Sequence, residues 1–327
     1  MMRHLERFLT TRHMLIGLSL FRIIIGTGFL FHLLQHWSER HLLWDAKGLY
    51  TYDEFLKETE GQGIYTLFHL SGEPWLLEVI YHGGILVTIL FVLGFHTRLT
   101  SVLAFLIYVA IYFRNPEITN AGDNIVRLEW FFLLFTHSGA YFSWDRYRRQ
   151  ALPQTNNWLQ PFAAVLHNFA LLAMILQLLW MYFSAGIYKT MGSLWQAGTA
   201  VYYVMRVQDY MWPGVNPILW ESDWIIVILT YTTVLFQLAF PFLLLNRYSK
   251  YVAVTGAILF HTGIGLIMNL FLFSWYMIGC ETLLLTDRDY RRLGHRLRQW
   301  GNGISGWVKQ RGRKIVERKS TKINSHS

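Results

Sequence analysis

Long apolar runs decide what this chain can be. Stretches at 14–35, 75–95, 99–114, 125–142, 161–183, 223–245, 251–268 and 270–285 are dominated by Leu, Ile, Val, Phe and Ala. A helix needs roughly 18–20 such residues to cross about 30 Å of hydrocarbon. Inside hydrocarbon every backbone N–H and C=O must be satisfied within the protein, and runs of this length meet that demand as helices. Only 15% of residues are charged, against about a quarter in soluble domains. The sequence therefore predicts an all-α polytopic membrane bundle of about eight transmembrane helices. The first run begins at Met14 with no small-residue cleavage site after it, so it reads as a span and not as a secretory signal.

Basic residues sort by side. Of the 29 Lys and Arg, 21 lie in the N-terminal segment, at Arg98, at Arg146, Arg148 and Arg149, at Arg247 and Lys250, and in the tail from Arg288. Six lie in the opposite loops (Arg40, Lys47, Lys57, Arg114, Lys189 and Arg206), and Arg22 and Arg127 fall within spans. By the positive-inside rule both termini are cytoplasmic, which requires an even number of crossings. The net charge of +9 thus encodes topology and a bilayer partner, and nucleic acid is not expected. The layout is a cytoplasmic N-terminus (1–13), a transmembrane domain (14–285) and a basic cytoplasmic tail (286–327), whose residues 286–300 suit an amphipathic helix. The last pair of spans is the least regular. As one helix, residues 251–285 would extend about 52 Å, so a tight hairpin or a re-entrant half-helix is expected, broken near Asn269.

Two outward loops are long. Residues 36–74 carry seven acids against three bases and include YDEFLKETEGQG, a short surface helix with a glycine-rich exit. Residues 184–222 hold Trp195, Trp212, Trp220, Tyr202, Tyr203, Tyr210, Pro213 and Pro217, a composition suited to an interfacial aromatic belt or a lid.

Ionisable groups at membrane depth each cost roughly 2.5–3.5 kcal/mol. The spans nevertheless hold Arg22, His32, Glu78, His82, Asp123, Arg127, Glu129, His137, His167, His261 and Glu281. As a set they predict a polar interior cavity, with Arg22, Glu78, His82, Arg127, Glu129 and Ser274 as its candidates. Glu78 and His82 are i,i+4 and can share a hydrogen bond. Arg22 is expected to pair with Glu129 or Glu78, and Asp123 with Arg127. Lys189 ends a long apolar helix between Gly186 and Gly192, far in sequence from its basic neighbours Arg149 and Arg206. It is either an interfacial anchor that snorkels to the headgroups or a base kept neutral by a low-dielectric site. The single cysteine, Cys280, excludes an internal disulfide and a cysteine-based metal site. No His pair is expected at H-x-x-x-H or H-E-x-x-H spacing on one helix, no G-x-S-x-G or glycine-rich phosphate loop occurs, and no metal site is expected.

The succession GFHTRLTSVLAFLIYVAIYFRNPEITNAGDNIVRLEWFFLLF, YFSAGIYKTMGSLWQAGTAVYY and FHTGIGLIMNLFLFSWYMIG resembles the horizontally transferred transmembrane (HTTM) domain. That family includes the membrane part of vitamin K-dependent gamma-carboxylase, and the resemblance spans roughly residues 14 to 285. It implies a catalytic set. The carboxylase's deprotonating lysine falls on Lys189, its Phe-His and following Ser are similar to Phe260, His261 and Ser274, and its second functional histidine falls near Asp123. The carboxylase's large lumenal region has no counterpart after the last span, so vitamin K-dependent carboxylation is not expected. Length and layout resemble the sporulation-delaying protein B group. That likeness implies a bacterial cytoplasmic membrane protein that matures or exports a small secreted antimicrobial peptide with a companion maturation protein. Two alternatives stand beside it: a membrane enzyme using Lys189 as a base on a quinone-like lipid, and a non-catalytic scaffold or transporter whose buried charges only pair with one another.

Overall fold

The computed structural model describes residues 2–150, 159–208, 211–212 and 214–299, and every described element is helical. Tyr210 and Pro213 of the aromatic loop, and the tail beyond residue 299, lie outside the described residues. Residues 1–284 form one compact unit and residues 285–327 a second. In the second, helix 287–299 starts at a cap in which Thr286 and Asp289 exchange hydrogen bonds.

Among the described helices of the first unit, eight form its bundle: α1 (Leu15–Gln35), α2 (Pro74–Leu93), α3 (Thr97–Arg114), α4 (Ala121–Leu133), α5 (Gln160–Thr190), α6 (Asp223–Leu243), α7 (Ser249–Ile267) and α8 (Phe271–Glu281). All but α4 and α8 are long and apolar enough to cross a bilayer. On α5 the outward Phe169, Leu172, Leu176 and Trp180 are exposed, while His167, Leu171, Met174, Leu178 and Tyr182 are buried. Both sets recur at three- and four-residue spacing, so the helix presents one apolar face outward and packs the other inward, with His167 and Tyr182 as its buried polar groups. The expected surface helix forms at Tyr52–Gly61, closed by a capping box between Thr51 and Glu54.

The two short helices differ from their expected spans at 125–142 and 270–285. α4 ends at Leu133, because Thr136, Ser138 and Gly139 favour local bonding; the Thr136 hydroxyl donates to the Leu133 carbonyl at 2.8 Å. The chain then runs through the bundle without helix from 134 to 143. Irregular backbone at such depth must find partners inside the protein, and it does. The Arg22 guanidinium donates to the carbonyls of Phe91 (2.5 Å), Val92 (2.8 Å) and Phe142 (2.7 Å). Ser19 accepts from the Tyr141 N–H at 3.1 Å, and His167 accepts from the His137 N–H at 3.0 Å. Arg22 therefore serves backbone carbonyls, not the expected Glu129 or Glu78. Gly94, at φ +70°, turns beside this seam, where a Cβ would lie 2.4 Å from Ser143 Cβ and 2.8 Å from the Arg22 guanidinium.

Between α7 and α8 the break falls at Asn269, in left-handed conformation at φ 55°, where the sequence places it. α8 then packs antiparallel to α1. Thr282 donates to the Gly17 carbonyl at 3.2 Å, Trp275 donates to Ile24 at 2.8 Å, and Gly28 admits the Tyr276 ring. Asp145 accepts from the His96 and Thr97 N–H groups, and His167 bonds the His13 carbonyl. One end of the bundle thus gathers residues near 13–17, 94–97, 142–145, 160–168 and 282. The other gathers the loop before α2, where Arg114 donates to the carbonyls of Tyr50 and Asp45 and Asn115 to that of Leu43.

Candidate functional site

α5, α7 and α8 bring three titratable side chains into one buried contact. Tyr182 Oη lies 2.8 Å from His261 Nε2 and 2.8 Å from Glu281 Oε1, and His261 and Glu281 are 3.6 Å apart. Each element contributes for a local reason. Tyr182 lies on the inward face of α5 and stacks on Phe240 of α6 at 3.8 Å. His261 sits between Tyr182 and Phe273 rings. Glu281 is the last residue of α8, where the chain tightens into a 3-10 turn at Thr282–Leu284. His261 Nδ1 and Glu281 Oε2 have no hydrogen-bond partner.

Further buried polar atoms without partners lie on α8 and α4. Ser274 is buried with its hydroxyl unpartnered, and it packs on Gly265, one helical turn after His261. Tyr276 is buried with an unpartnered hydroxyl. Glu129 of α4 is fully buried, and neither carboxylate oxygen has a partner. Cys280 is within electrostatic reach of both Glu129 and Glu281.

The other expected residues separate into distinct settings. Lys189 stands in the last turn of α5, half-buried, with Nζ 3.5 Å from the Ala185 carbonyl and 5.2 Å from the centre of the Trp195 ring. It follows Tyr182 by seven residues, so it rises from the same face about 10 Å further along the axis. Asp123 caps its own helix, accepting from the Asn120 N–H at 2.9 Å, and its backbone carbonyl accepts from Tyr108. Arg127 bonds Asn124 at 2.8 Å and lies over the Tyr112 and Phe113 rings. The expected Asp123–Arg127 pair is not formed, because the first-turn acid is drawn to the free N–H groups of the helix start.

Glu78 and His82 do share the expected contact, at 3.0 Å, but in a half-exposed cluster where Glu78 also meets Arg40 (3.0 Å) and His41 (2.7 Å). His41 bonds Asp45 as well, at 3.0 Å. Burial disfavours the charged Asp45 carboxyl, yet the bonds from His41 and the Lys47 N–H outweigh it and hold its pKa below the ordinary value. His32 and His36, an i,i+4 pair overlooked in the sequence, pack edge to face at 5.0 Å and both against Trp44. Among the described residues no three His, Cys, Asp or Glu side chains gather as metal ligands do.

Residues 14–289 match the family model of the HTTM domain. The chain belongs to the HTTM family. No curated protein and no solved structure matches it.

In this HTTM chain the sequence reading found His261 but missed Tyr182 as its partner. The usable signal was position: Tyr182 lies two helical turns before Lys189, on the same face. The trio's chemistry follows from donor counting. In one arrangement His261 Nε2–H donates to Tyr182, which donates to a Glu281 carboxylate. In the other, protonated Glu281 donates to Tyr182, which donates to Nε2 while the imidazole proton sits on Nδ1. The second holds one more proton than the first, on the same heavy-atom positions. Such a group can take up or release a proton without rearrangement, as a general acid or base must.

Proposed function

We propose that this HTTM protein performs proton transfer at a site within the bilayer, with Tyr182, His261 and Glu281 as the proton-handling group. The observation that carries this reading is the fully buried contact among the three. Burying a carboxyl, an imidazole and a phenol together costs more than apolar packing of the same volume, and stability alone gives no reason to keep them. Lys189, on the same helix face, is the group at the outer mouth that exchanges the proton with substrate, and Ser274, packed on Gly265 one helical turn after His261, is a further polar group on its path.

The substrate we propose is a small secreted peptide precursor, handled with a companion maturation protein as in the sporulation-delaying protein B group, in a bacterial cytoplasmic membrane. Support comes from the segment beyond Lys189, where Met191, Leu194, Tyr203, Ile218 and Trp224 are exposed beside Tyr188 and offer an apolar bed for such a peptide. A quinone-like lipid is the second substrate reading, favoured by the depth of the buried trio. The topology we propose is eight crossings with both termini cytoplasmic. The antiparallel pairing of α1 with α8 supports it, as does the convergence of residues 13–17, 94–97, 142–145 and 282 at one end.

Tyr182→Phe tests the central claim, since phenylalanine preserves the stack on Phe240 and deletes only the hydroxyl. In cells lacking the native gene, the variant should reach wild-type abundance in the membrane while the secreted-peptide profile, read by mass spectrometry, reverts to that of the deletion. A wild-type profile at equal abundance would return the protein to the scaffold reading. A normal peptide profile in the deletion itself, with quinone co-purifying with the protein, would select the lipid substrate.

A further inference from the structure

A second site lies at the opposite end of the molecule from Lys189, where the basic loops gather. A pocket of about 550 Å³ opens between the start of α3, the irregular segment 134–143 and the helix Trp144–Gln150. His96, Arg98 and Arg148 stand at its mouth, all exposed, with an Arg148 guanidinium nitrogen 3.4 Å from His96 Nε2. Its floor includes Ser101, 4% exposed, whose hydroxyl has no hydrogen-bond partner, together with buried Thr136 and Ser138. The single acid in the wall, Asp145, directs its carboxylate to the helix start. It accepts from the His96 N–H (3.0 Å), the Thr97 N–H (2.7 Å) and the Thr97 hydroxyl (2.7 Å).

That division of charge matters. The acid's carboxylate is engaged by the helix N-terminus, and the two guanidinium groups outnumber it among the charges lining the pocket. Arginine forks match the paired oxygens of a phosphate, and the buried hydroxyl offers a further donor at the pocket's base. The rim is apolar. Leu99 lines it with 61% of its surface exposed, and Phe95 and Phe135 stand exposed nearby. An anion that enters here carries hydrocarbon beside it, which a soluble phosphate does not. Basic pockets between membrane helices on the cytoplasmic side are suited to anionic lipid headgroups.

We propose that this pocket binds the phosphate headgroup of an anionic phospholipid of the inner leaflet, held by Arg98 and Arg148 with Ser101 at its base and the acyl chains lying along Leu99 and Phe135. The site is independent of the buried trio. Binding there would brace segment 134–143, which is stitched to the bundle by side chains in place of helix bonds.

The test uses the purified full-length protein in neutral detergent micelles, titrated with phosphatidylglycerol, phosphatidylcholine or inorganic phosphate, with thermal stability and native mass spectrometry as readouts. Phosphatidylglycerol should bind saturably and raise the melting temperature, while phosphatidylcholine and inorganic phosphate at equal concentration should not. Arg98→Gln with Arg148→Gln should weaken phosphatidylglycerol binding at least about tenfold. The charge-matched pair Arg247→Gln with Lys250→Gln, on another basic loop, should leave it within about twofold. Equal loss in the two double variants would reduce the effect to general surface charge and overturn the site. Equal stabilisation by inorganic phosphate would overturn the lipid and leave a phosphate pocket. Ser101→Ala, which keeps the cations and folds without strain, should weaken binding less than the arginine pair; no effect at all would remove the hydroxyl from the proposal.

Discussion

Lys189 and Arg22 are both isolated cations in the sequence, yet their surroundings assign them opposite work. Arg22 has three carbonyls within 2.8 Å and no room to move. Lys189 has one long contact at 3.5 Å and an indole face. A side chain held so loosely is free to exchange a proton, whereas one held at three points is a strut. Lys189→Arg separates anchor from base, because arginine snorkels as well as lysine but stays protonated in any plausible pocket. We expect the arginine variant to accumulate normally and to lose the peptide phenotype; full activity would leave Lys189 an anchor. At this scale the sequence was partly legible. Isolation marked Lys189 and the family resemblance marked His261, but the partners of Arg22 are backbone carbonyls, which leave no trace in side-chain identity. The Asp123–Arg127 spacing misled for a related reason, since spacing ignores competition from unpaired N–H groups at a helix start.

Helix lengths carry a different lesson. The apolar run at 125–142 is continuous enough to read as a span, yet α4 stops after 13 residues and about 20 Å. Hydropathy measures transfer to lipid, and segment 134–143 is transferred into protein instead. Its stability therefore resides in partners on other elements: Arg22 and Ser19 on α1, His167 on α5. Arg22→Leu should show this. It keeps the volume roughly constant and removes a donor from three carbonyls, of which Phe91 keeps the Gly94 N–H, at about 1–3 kcal/mol for each left buried and unpaired. A loss of several degrees in melting temperature in detergent, with lower membrane yield, is the expected outcome; an unchanged transition would mean that the segment is held by other contacts. The break at Asn269 was legible, because asparagine tolerates the left-handed conformation better than most residues and it interrupts an otherwise apolar run.

For the whole molecule the sharpest expectation is sidedness. In a Cys280→Ser background, single cysteines at Tyr65 and Ile218 should react with a membrane-impermeant thiol reagent from outside intact cells. Cysteines at Tyr147 and Leu245 should react only after lysis. All four positions are exposed in the fold, so a silent site reports the membrane and not burial. Labelling of Leu245 from outside would break the eight-crossing arrangement at its second half. The all-helical membrane class was plain from the length of the apolar runs. The interior chemistry was not, because residues as distant as Tyr182, His261 and Glu281 meet only once helices from the fifth, seventh and eighth runs have packed.

The stitched segment also sets a schedule for how the protein is made. A nascent chain that has emerged as far as residue 143 contains Arg22 and Ser19 but not His167. Its fourth bundle helix and the segment after it are therefore short of a partner until the ribosome has added the first turns of α5. Until then the 13-residue helix and its polar continuation are poorly suited to lipid, and the membrane insertion machinery must shelter them. The His167 bond to the backbone of segment 134–143 can close only once α5 has been made, so this corner of the bundle is completed late.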